Sequence, residues 1–251
     1  MLKYPLSTLL YLAKINIKDT IQDALKLHNN IDISLTAIIK DKDGKVIKVH
    51  KQRSHSFLMN FAALLASIML NLNNSSNNHY YFLATNNQWY SLPTPPYLNA
   101  YEVFSMLDSA NDSTYGIVVG TGTATPTPND YALGNQIVNG TGSGQLEYSG
   151  HSISPTAGTS SISGQSSMPS SGVLTPSGNI TSFKISRQFT NQSGASITVS
   201  EVGIISYTTA YQTSSSDINV YVLLIHDLLS SPITVPNLSI LQITYTISVT
   251  T

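Results

Sequence analysis

Acidic side chains are the first candidates for chemistry, because two suitably placed carboxylates can cleave a glycosidic bond. Beyond residue 53 the acidic residues are Glu102, Asp108, Asp112, Asp130, Glu147, Glu201, Asp217 and Asp227. Most fall in predicted loops or on solvated strand faces. Glu201 differs because it alternates with apolar residues, and Arg187 occupies an inward position on the predicted partner strand. A structural role for Glu201, either a cross-strand ion pair with Arg187 or a charge that protects a sheet edge, is favoured over catalysis.

Histidine, serine and cysteine patterns give no stronger catalytic signal. His50 and His55 are five residues apart, which suits neither one face of a helix nor one face of a strand for metal binding. His226 and Asp227 are adjacent and are predicted to point to opposite faces of a strand. The chain has no cysteine and no G-x-S-x-G nucleophile motif. We therefore predict no catalytic, cofactor-binding or metal-binding residue, no small-molecule substrate and no enzymatic activity.

The stretch GIVVGTGTATPTPND, residues 116–130, superficially resembles a phosphate-binding loop. Such a loop must be followed at once by a helix whose free N–H groups face the anion. Here Pro126 and Pro128 favour extended backbone at the residues before them, and no Lys-Ser/Thr pair follows the glycines. The sequence instead predicts a short strand at 117–119 that leads into an exposed connector.

Basic residues are concentrated near the N-terminus. Residues 1–53 contain ten Lys/Arg and five acids, a net charge of +5, whereas the remainder contains two bases and eight acids, a net charge of −6. Asp43-Gly44 predicts a β-hairpin turn within this region. The candidate residues for contact with nucleic acid, anionic lipid or another anionic partner are Lys45, Lys48, Lys51 and Arg53. A solvated hairpin or a protein contact is the favoured alternative.

Two surface features point to carbohydrate. The segment HYYFLATNNQWYSLPTPPY supplies Trp89, Tyr90 and Tyr97, which could stack on sugar rings, although packing in a core or interface is favoured. Sequons for N-glycosylation also occur at about the frequency that chance predicts, so they are a weak signal. The candidate acceptors are Asn111, Asn139, Asn179 and Asn191.

The apolar segment 57–72 predicts a helix that begins after Ser54 or Ser56. Its apolar run is about 14 residues, shorter than the roughly 20 needed to cross a bilayer. Because it is apolar on nearly every side, we expect it to be buried against its own β body, against sister subunits or against lipid. The predicted oligomer contacts are Phe57, Phe61, Leu64, Leu65, Ile68 and Leu72.

The remaining patterns predict an α+β, β-dominant protein. Two helical pieces are expected within residues 6–28, followed by the basic hairpin and the apolar helix, which together form an N-terminal region at 1–72. Strand patterns dominate residues 73–251, with a Ser/Gly-rich insertion at about 139–179. Strand residues 183–189 and 197–201 are predicted to form one antiparallel hairpin, and 218–229 is predicted to be a central strand. The fold expected is an antiparallel β-sandwich of jelly-roll type.

Composition gives the chain an unusual surface. Only 10% of its 251 residues are charged, whereas serine and threonine occupy 61 positions. A typical globular protein has about 25% charged residues. Hydroxyl and amide groups must therefore provide most of the interaction with water.

Three segments together resemble structural proteins of phages and archaeal viruses. They are IVVGTGTATPTPNDYALGNQI, FTNQSGASITVSEVGI and VLLIHDLLSSPITVPNLSILQITYTISV, and RSHSFLMNFAALL resembles a helix found in the same proteins. The composition is similar to that of viruses of hot, acidic archaeal hosts, including spindle-shaped viruses. The resemblance implies a β-sandwich in a virion component, such as a tail, nozzle, adaptor or vertex protein.

The function expected from the resemblance is structural and not enzymatic. It implies localisation in the virion, a symmetric homo-oligomer, expected to be a ring, and contact with other virion proteins. The apolar helix and the Ser/Gly-rich insertion are expected to pack against sister subunits. The alternative is a carbohydrate-binding or host-attachment module on a virion or cell surface.

Overall fold

The computed structural model describes residues 31–54, 56–70, 81–91, 105–156, 178–211 and 217–250. The helical pieces predicted within residues 6–28 lie outside this part of the chain. Leu72, Tyr97 and residues 157–177 of the predicted insertion also lie outside it.

The described residues form eleven strands and one helix, which confirms the β-dominant fold class. The first strands are β1 (Ile31–Lys40), β2 (Val46–Arg53), β3 (Tyr81–Leu83), β4 (Trp89–Ser91) and β5 (Gly116–Gly120). The later strands are β6 (Glu147–Tyr148), β7 (Ser152–Thr156), β8 (Ile180–Thr190), β9 (Ile197–Tyr211), β10 (Asp217–Val235) and β11 (Ile240–Thr250). Helix α1 spans Met59–Leu70.

The strands form two sheets. The first sheet has the order β2-β1-β11-β8-β6, and β7 also pairs with β8. The second has the order β10-β9-β4-β3, and β5 also pairs with β9. Antiparallel pairing joins β1 to β2, β9 to β10 and β5 to β9.

The chain divides into two compact units. The described part of the smaller unit consists of residues 31–33, 154–156, 178–184 and 246–250, which are ends of β1, β7, β8 and β11. The larger unit contains residues 34–153 and 185–245 and holds nearly all of the buried apolar side chains. The polar networks and surface patches described below belong to the larger unit.

The predicted β-hairpin turn at Asp43-Gly44 is confirmed, and a second hairpin turn joins β3 to β4. Gly44 has a φ of +81°, and the side chain of Asp41 accepts hydrogen bonds from the main-chain N–H groups of Asp43 and Lys45. Asn87 has a φ of +61° in the turn between β3 and β4. Glycine and asparagine tolerate this left-handed conformation better than other residues, which is why these sequences turn here.

The predicted hairpin between 183–189 and 197–201 is wrong, because its two arms belong to different sheets. Strand β8 lies in the first sheet and β9 in the second, so residues 191–196 connect the sheets. The alternation correctly predicted one buried face on β8, but residues 199–206 of β9 are buried on both faces. It carried no information about the strand with which each arm pairs.

Asn191 holds this connection beside the second connection between the sheets, which leads from β10 to β11. The Asn191 side chain donates to the carbonyl oxygens of Ala195 and Val235, each at 2.8 Å. Its main chain exchanges hydrogen bonds with Leu238 and Ser239 in the second connection. Because the residue is fully buried, its polar groups need these partners.

Strand β10 follows the burial pattern predicted for residues 218–229 over most of its length. Residues 222–227 of β10 are all buried, as expected of a strand covered on both faces. Within the described residues, however, β10 pairs with a strand on one side alone, and residues 56–58 cover its other edge through the Phe57–Ile225 bridge. In β11, Leu241, Ile243 and Tyr245 are buried in alternation with less buried residues.

Helix α1 packs against its own β body on one side. Asn60, an interruption in the apolar run, donates to the carbonyl oxygens of Leu83 and Leu223 and accepts from the Leu83 N–H. These bonds join the helix to β3 and β10. Met59 and Leu65 lie on the other side and remain 37% and 38% exposed.

Candidate functional site

The most elaborate polar site surrounds the carboxylate of Glu201 on β9. One oxygen, Oε1, accepts hydrogen bonds from the main-chain N–H groups of Gly122 and Asn135, at 2.9 and 2.8 Å. The other, Oε2, accepts from the Gly134 N–H at 3.0 Å and lies 2.9 Å from Nε2 of His226. The glycine-rich stretch, with the residues up to Asn135, therefore binds an anion after all, but that anion is a side chain of the same protein.

We call residues 120–136 the glycine loop. Two of its residues must be glycine because the backbone there passes very close to Glu201. A Cβ atom on Gly120 or Gly122 would collide with the carboxylate. Backbone N–H groups can surround an anion at this distance when no side chains intervene. The predicted strand at 117–119 is confirmed as β5, and the connector after it folds over Glu201.

His226 lies between two carboxylates. Its Nε2 faces Glu201, and its Nδ1 lies 2.7 Å from Oδ2 of Asp130 in the glycine loop. Burial alone would lower the pKa of His226, but hydrogen bonds to Glu201 and Asp130 outweigh burial and raise it. Burial would likewise raise the pKa of Glu201, but the bonds from His226 and the three amides lower it to about 2. Both ring nitrogens face carboxylate oxygens, so the doubly protonated, charged imidazolium is the form that fits the site.

The Asp130 carboxylate is also tied within the loop. Thr127 donates to it from both its hydroxyl group, at 2.6 Å, and its main-chain N–H, at 3.0 Å. Burial would raise the pKa of Asp130, but these bonds and the bond to His226 lower it. Hydrogen bonds thus link the loop, β9 and β10 in one network, which we call the histidine clasp: Asp130, Glu201 and His226.

The histidine clasp contains the residue types of an acid–base catalytic site, but its hydrogen bonds are not those that such a site needs. Both ring nitrogens of His226 face carboxylates, so the ring has no free nitrogen with which to activate a nucleophile. The hydroxyl of Thr127 bonds to Asp130 and not to the imidazole. What this arrangement does is fasten the glycine loop to the second sheet.

Arg187 is the centre of a second buried network. Its five N–H donors bond to five main-chain oxygens, which belong to Ser109, Asp112, Tyr115, Ile117 and Ser149. The guanidinium also lies 4.7 Å from the ring centre of Tyr148 and 3.6 Å from the carboxylate of Asp108. Arg187 thereby fixes the path of residues 109–117 into β5.

His151 completes this second network as a neutral ring. Its Nε2 accepts the Ile117 N–H at 2.8 Å, and its Nδ1 lies 3.1 Å from both the N–H and the carbonyl oxygen of Asp108. Burial lowers the pKa of His151 to about 4. Protonation of Nε2 would place an N–H against the Ile117 donor, so the neutral ring is the form that fits.

The predicted ion pair between Arg187 and Glu201 is therefore wrong. The two residues belong to different sheets, and each has its own partners. The predicted opposite orientation of His226 and Asp227 is confirmed. His226 faces Glu201, whereas Asp227 accepts a 3.0 Å hydrogen bond from the hydroxyl of Tyr245 in the first sheet.

An aromatic cluster lies on the second sheet near the Arg187 network. The ring centres of Tyr115, Tyr207 and Tyr221 are 5.6, 5.9 and 6.0 Å apart, and all three side chains are partly exposed. Burial, followed by the nearby carboxylates of Asp108 and Asp112, raises the pKa of Tyr115. We call Tyr115, Tyr207, Tyr221 and Asp112 the tyrosine patch.

The basic hairpin, residues 40–53, exposes its predicted candidates on one strand. Lys48, Lys51 and Arg53 lie on β2 and Lys45 precedes it, and all four are exposed. Ile47 and Val49 between them are 50% and 51% exposed. Within the described residues, β2 pairs with β1 alone and forms one edge of the first sheet.

The predicted oligomer contacts differ in how deeply they are buried in their own chain. Leu64 is buried in its own chain, Phe57 and Phe61 are partly buried with ring centres 4.6 Å apart, and Leu65 is exposed. Ile68 lies in helix α1, and Leu72 lies outside the described residues. The exposed apolar side of the helix contains Met59 and Leu65.

The glycan-stacking candidates are also separated. Trp89 is 53% exposed, whereas Tyr90 is buried and its hydroxyl accepts a hydrogen bond from Asn86. Tyr81 on β3 is 55% exposed and lies on the same face of the hairpin as Trp89. This second exposed aromatic ring was not among the sequence candidates.

Burial separates the four candidate glycosylation sites. Asn111 and Asn179 are exposed, and Asn139 is partly buried and accepts the Tyr148 N–H through its side chain. Asn191 is fully buried. An enzyme cannot reach its amide in the folded chain.

In the described part of the chain, no three His, Asp or Glu side chains are grouped in a way that could hold a metal ion. None of its helices combines the length and apolar character needed to span a bilayer. Comparison with known proteins finds no matching family model, no similar curated protein and no similar solved structure.

Proposed function

We propose that this chain is a non-enzymatic structural protein of a virus particle and that it assembles into a symmetric oligomer. A tail, nozzle or adaptor position is the favoured role, with a jelly-roll β-sandwich as the body and other virion proteins as neighbours. Its mechanism is the burial of complementary surfaces between copies.

The observation that carries this proposal is the meeting of the resembling segments around one carboxylate. The first segment supplies Gly122, Asp130 and Gly134, the second supplies Glu201, and the third supplies His226. Residues far apart in the sequence are therefore explained by one requirement, which is to bind the Glu201 carboxylate or the His226 ring beside it. That coherence supports a common structural origin better than a chance similarity of short motifs would.

The use of buried ionisable groups supports a structural role. Arg187, Glu201 and His226 are at most 3% exposed, and their polar atoms hold loops onto the sheets. A catalytic site would need at least one such group to face a substrate. Exposed apolar side chains on α1 and β2 supply surface that other subunits could cover.

Two measurements test the proposal. Sedimentation velocity of the purified chain between about 1 and 50 μM is expected to show one discrete oligomer, and electron microscopy is expected to show its symmetry. Mass spectrometry of virus particles from the host that carries the gene is expected to find the chain in many copies. A chain that stays monomeric over this range refutes the oligomer, and its absence from particles refutes the virion assignment.

A carbohydrate-binding or host-attachment role is the second candidate, favoured by the two exposed rings of Tyr81 and Trp89 on one hairpin face. Aromatic rings beside each other on a surface suit stacking against sugar rings. A glycan array tests it, with Trp89→Ala expected to abolish the signal. An array on which the unchanged chain binds nothing removes this candidate.

A further inference from the structure

We propose that the tyrosine patch of one copy binds the basic hairpin of a second copy. This inference rests on the proposed function, because it names the contact through which the oligomer would form. It is an interface of head-to-tail type, in which two different surfaces of the same chain meet.

The tyrosine patch has the chemistry of a cation-binding surface. Three aromatic rings lie within 6.0 Å of one another, and the faces of such rings attract cations. Asp112 adds a carboxylate close enough to raise the pKa of Tyr221, after the larger effect of burial. The patch therefore combines aromatic surface with negative charge.

The basic hairpin presents the complementary chemistry. Lys45, Lys48 and Lys51 are exposed, and none of them forms an ion pair within the described residues. On β2, the exposed side chain of Val49 lies on the same face as Lys51 and can cover a tyrosine ring, whereas Lys48 lies on the opposite face of the strand. A lysine in this setting can place its ammonium group over a ring while its alkyl chain stays in apolar contact.

Charge excludes the simplest alternative, in which β2 pairs with β2 of a second copy. Such pairing would bring Lys48 and Lys51 of one strand close to the same residues of the other, with no acid on either strand. Lysines on an edge strand are a known means of preventing such pairing. If β2 instead contacts the tyrosine patch, its lysines face the carboxylate of Asp112, and the repulsion between lysines is absent.

The orientation of this contact determines the kind of assembly. Each copy uses one patch and one hairpin, so every bound copy leaves a free surface of each type for the next. Such a contact closes into a ring when the rotation between copies divides a full circle and otherwise extends into a filament. Both products need only one interface.

Charge exchange in the full-length chain tests the proposal. The hairpin variant is Lys48→Glu with Lys51→Glu, the patch variant is Asp112→Lys, and the third variant combines all three changes. Glu147→Lys is the matched control, since it makes the same acid-to-lysine change on β6, outside the patch. Tyr221→Leu provides a second patch variant that retains apolar bulk, and circular dichroism checks the fold of each.

Sedimentation velocity at about 50 mM and about 500 mM NaCl measures assembly, because salt screens contacts between exposed charges. The hairpin variant, the patch variant and Tyr221→Leu are each expected to raise the concentration for half-assembly by about tenfold. The combined variant is expected to return within about threefold of the unchanged chain, since opposite charges again face each other. Glu147→Lys is expected to assemble normally.

Other outcomes overturn the proposal in distinguishable ways. If the unchanged chain forms an oligomer and the folded variants assemble equally well, the interface lies elsewhere while the proposed function stands. If the hairpin variant loses binding to duplex DNA or to anionic phosphatidylserine vesicles but still assembles, the hairpin serves that partner instead. If the unchanged chain never assembles, the proposed oligomer fails together with this contact.

Discussion

Replacing Glu201 with glutamine is expected to destabilise the fold by about 3 to 5 kcal/mol, although the side chain keeps its size. The lower bound follows from the pKa of Glu201, which falls from its ordinary value of 4.5 to about 2 on folding. At about 1.4 kcal/mol per pKa unit, this preference for the charged form stabilises the folded chain by about 3 kcal/mol at neutral pH.

The hydrogen bonds that lower this pKa also explain why glutamine cannot replace the carboxylate. A glutamine can accept from Gly122 and Asn135 through its one oxygen, but its amide nitrogen then faces the N–H groups of Gly134 and His226. Each buried donor without an acceptor costs about 1 to 3 kcal/mol. Glutamine therefore loses the charge and two hydrogen bonds together.

Urea denaturation followed by circular dichroism measures the loss, and Glu147→Gln is the matched control. Glu147 is partly exposed, with one hydrogen bond from the Gln192 side chain, so its change is expected to cost at most about 0.5 kcal/mol. A Glu201→Gln chain that loses less than about 1 kcal/mol would show that the loop amides do not stabilise the carboxylate.

The pH profile gives an independent check of the same reasoning. Because the folded pKa is depressed, the contribution of Glu201 is present above pH 4.5 and is lost as the pH falls toward 2. The unchanged chain is expected to lose stability over this range, and the Glu201→Gln chain is expected to lose less. Parallel profiles for the two chains would contradict the assignment of this carboxylate.

Three further predictions concern the other buried groups. Arg187→Met leaves five main-chain oxygens without donors and is expected to cost at least about 3 kcal/mol in the same urea assay; a loss under about 1 kcal/mol would refute its role. His226 has a raised folded pKa, so its contribution is complete below pH 6.5 and is lost as the pH rises through the folded value. His226→Gln is expected to flatten this alkaline decline, and an unchanged slope would show that another group titrates. In a glycosylating host, mass spectrometry is expected to find Asn191 unmodified even where Asn179 carries a glycan; occupied Asn191 in the folded chain would contradict its burial.

Local patterns in the sequence were sufficient for the elements themselves. The Asp43-Gly44 turn and the short strand at 117–119 depend on neighbouring residues, and the structure contains both. Backbone conformation and the two-residue period of a strand are local properties, so a sequence expresses them directly.

The site residues illustrate what local patterns omit. In the sequence, His226 is notable only because Asp227 follows it. Asp130 is only one of several acidic residues in predicted loops. The glycines of the loop were a usable signal, because closely spaced glycines often permit backbone approach to an anion. The sequence did not reveal that the anion is Glu201, 79 residues from Gly122.

The sequence by itself determined that this chain is rich in strands, where the basic hairpin turns, and which side of several strands is apolar. The tertiary structure decided that β8 and β9 belong to different sheets, that Arg187 and Glu201 are not partners, and that the glycine loop encloses a carboxylate. These choices depend on which distant strands pair and on the need of each buried charge for partners. Both are properties of the whole fold, because a strand of a given pattern can pair equally well with several others until the other buried groups are placed.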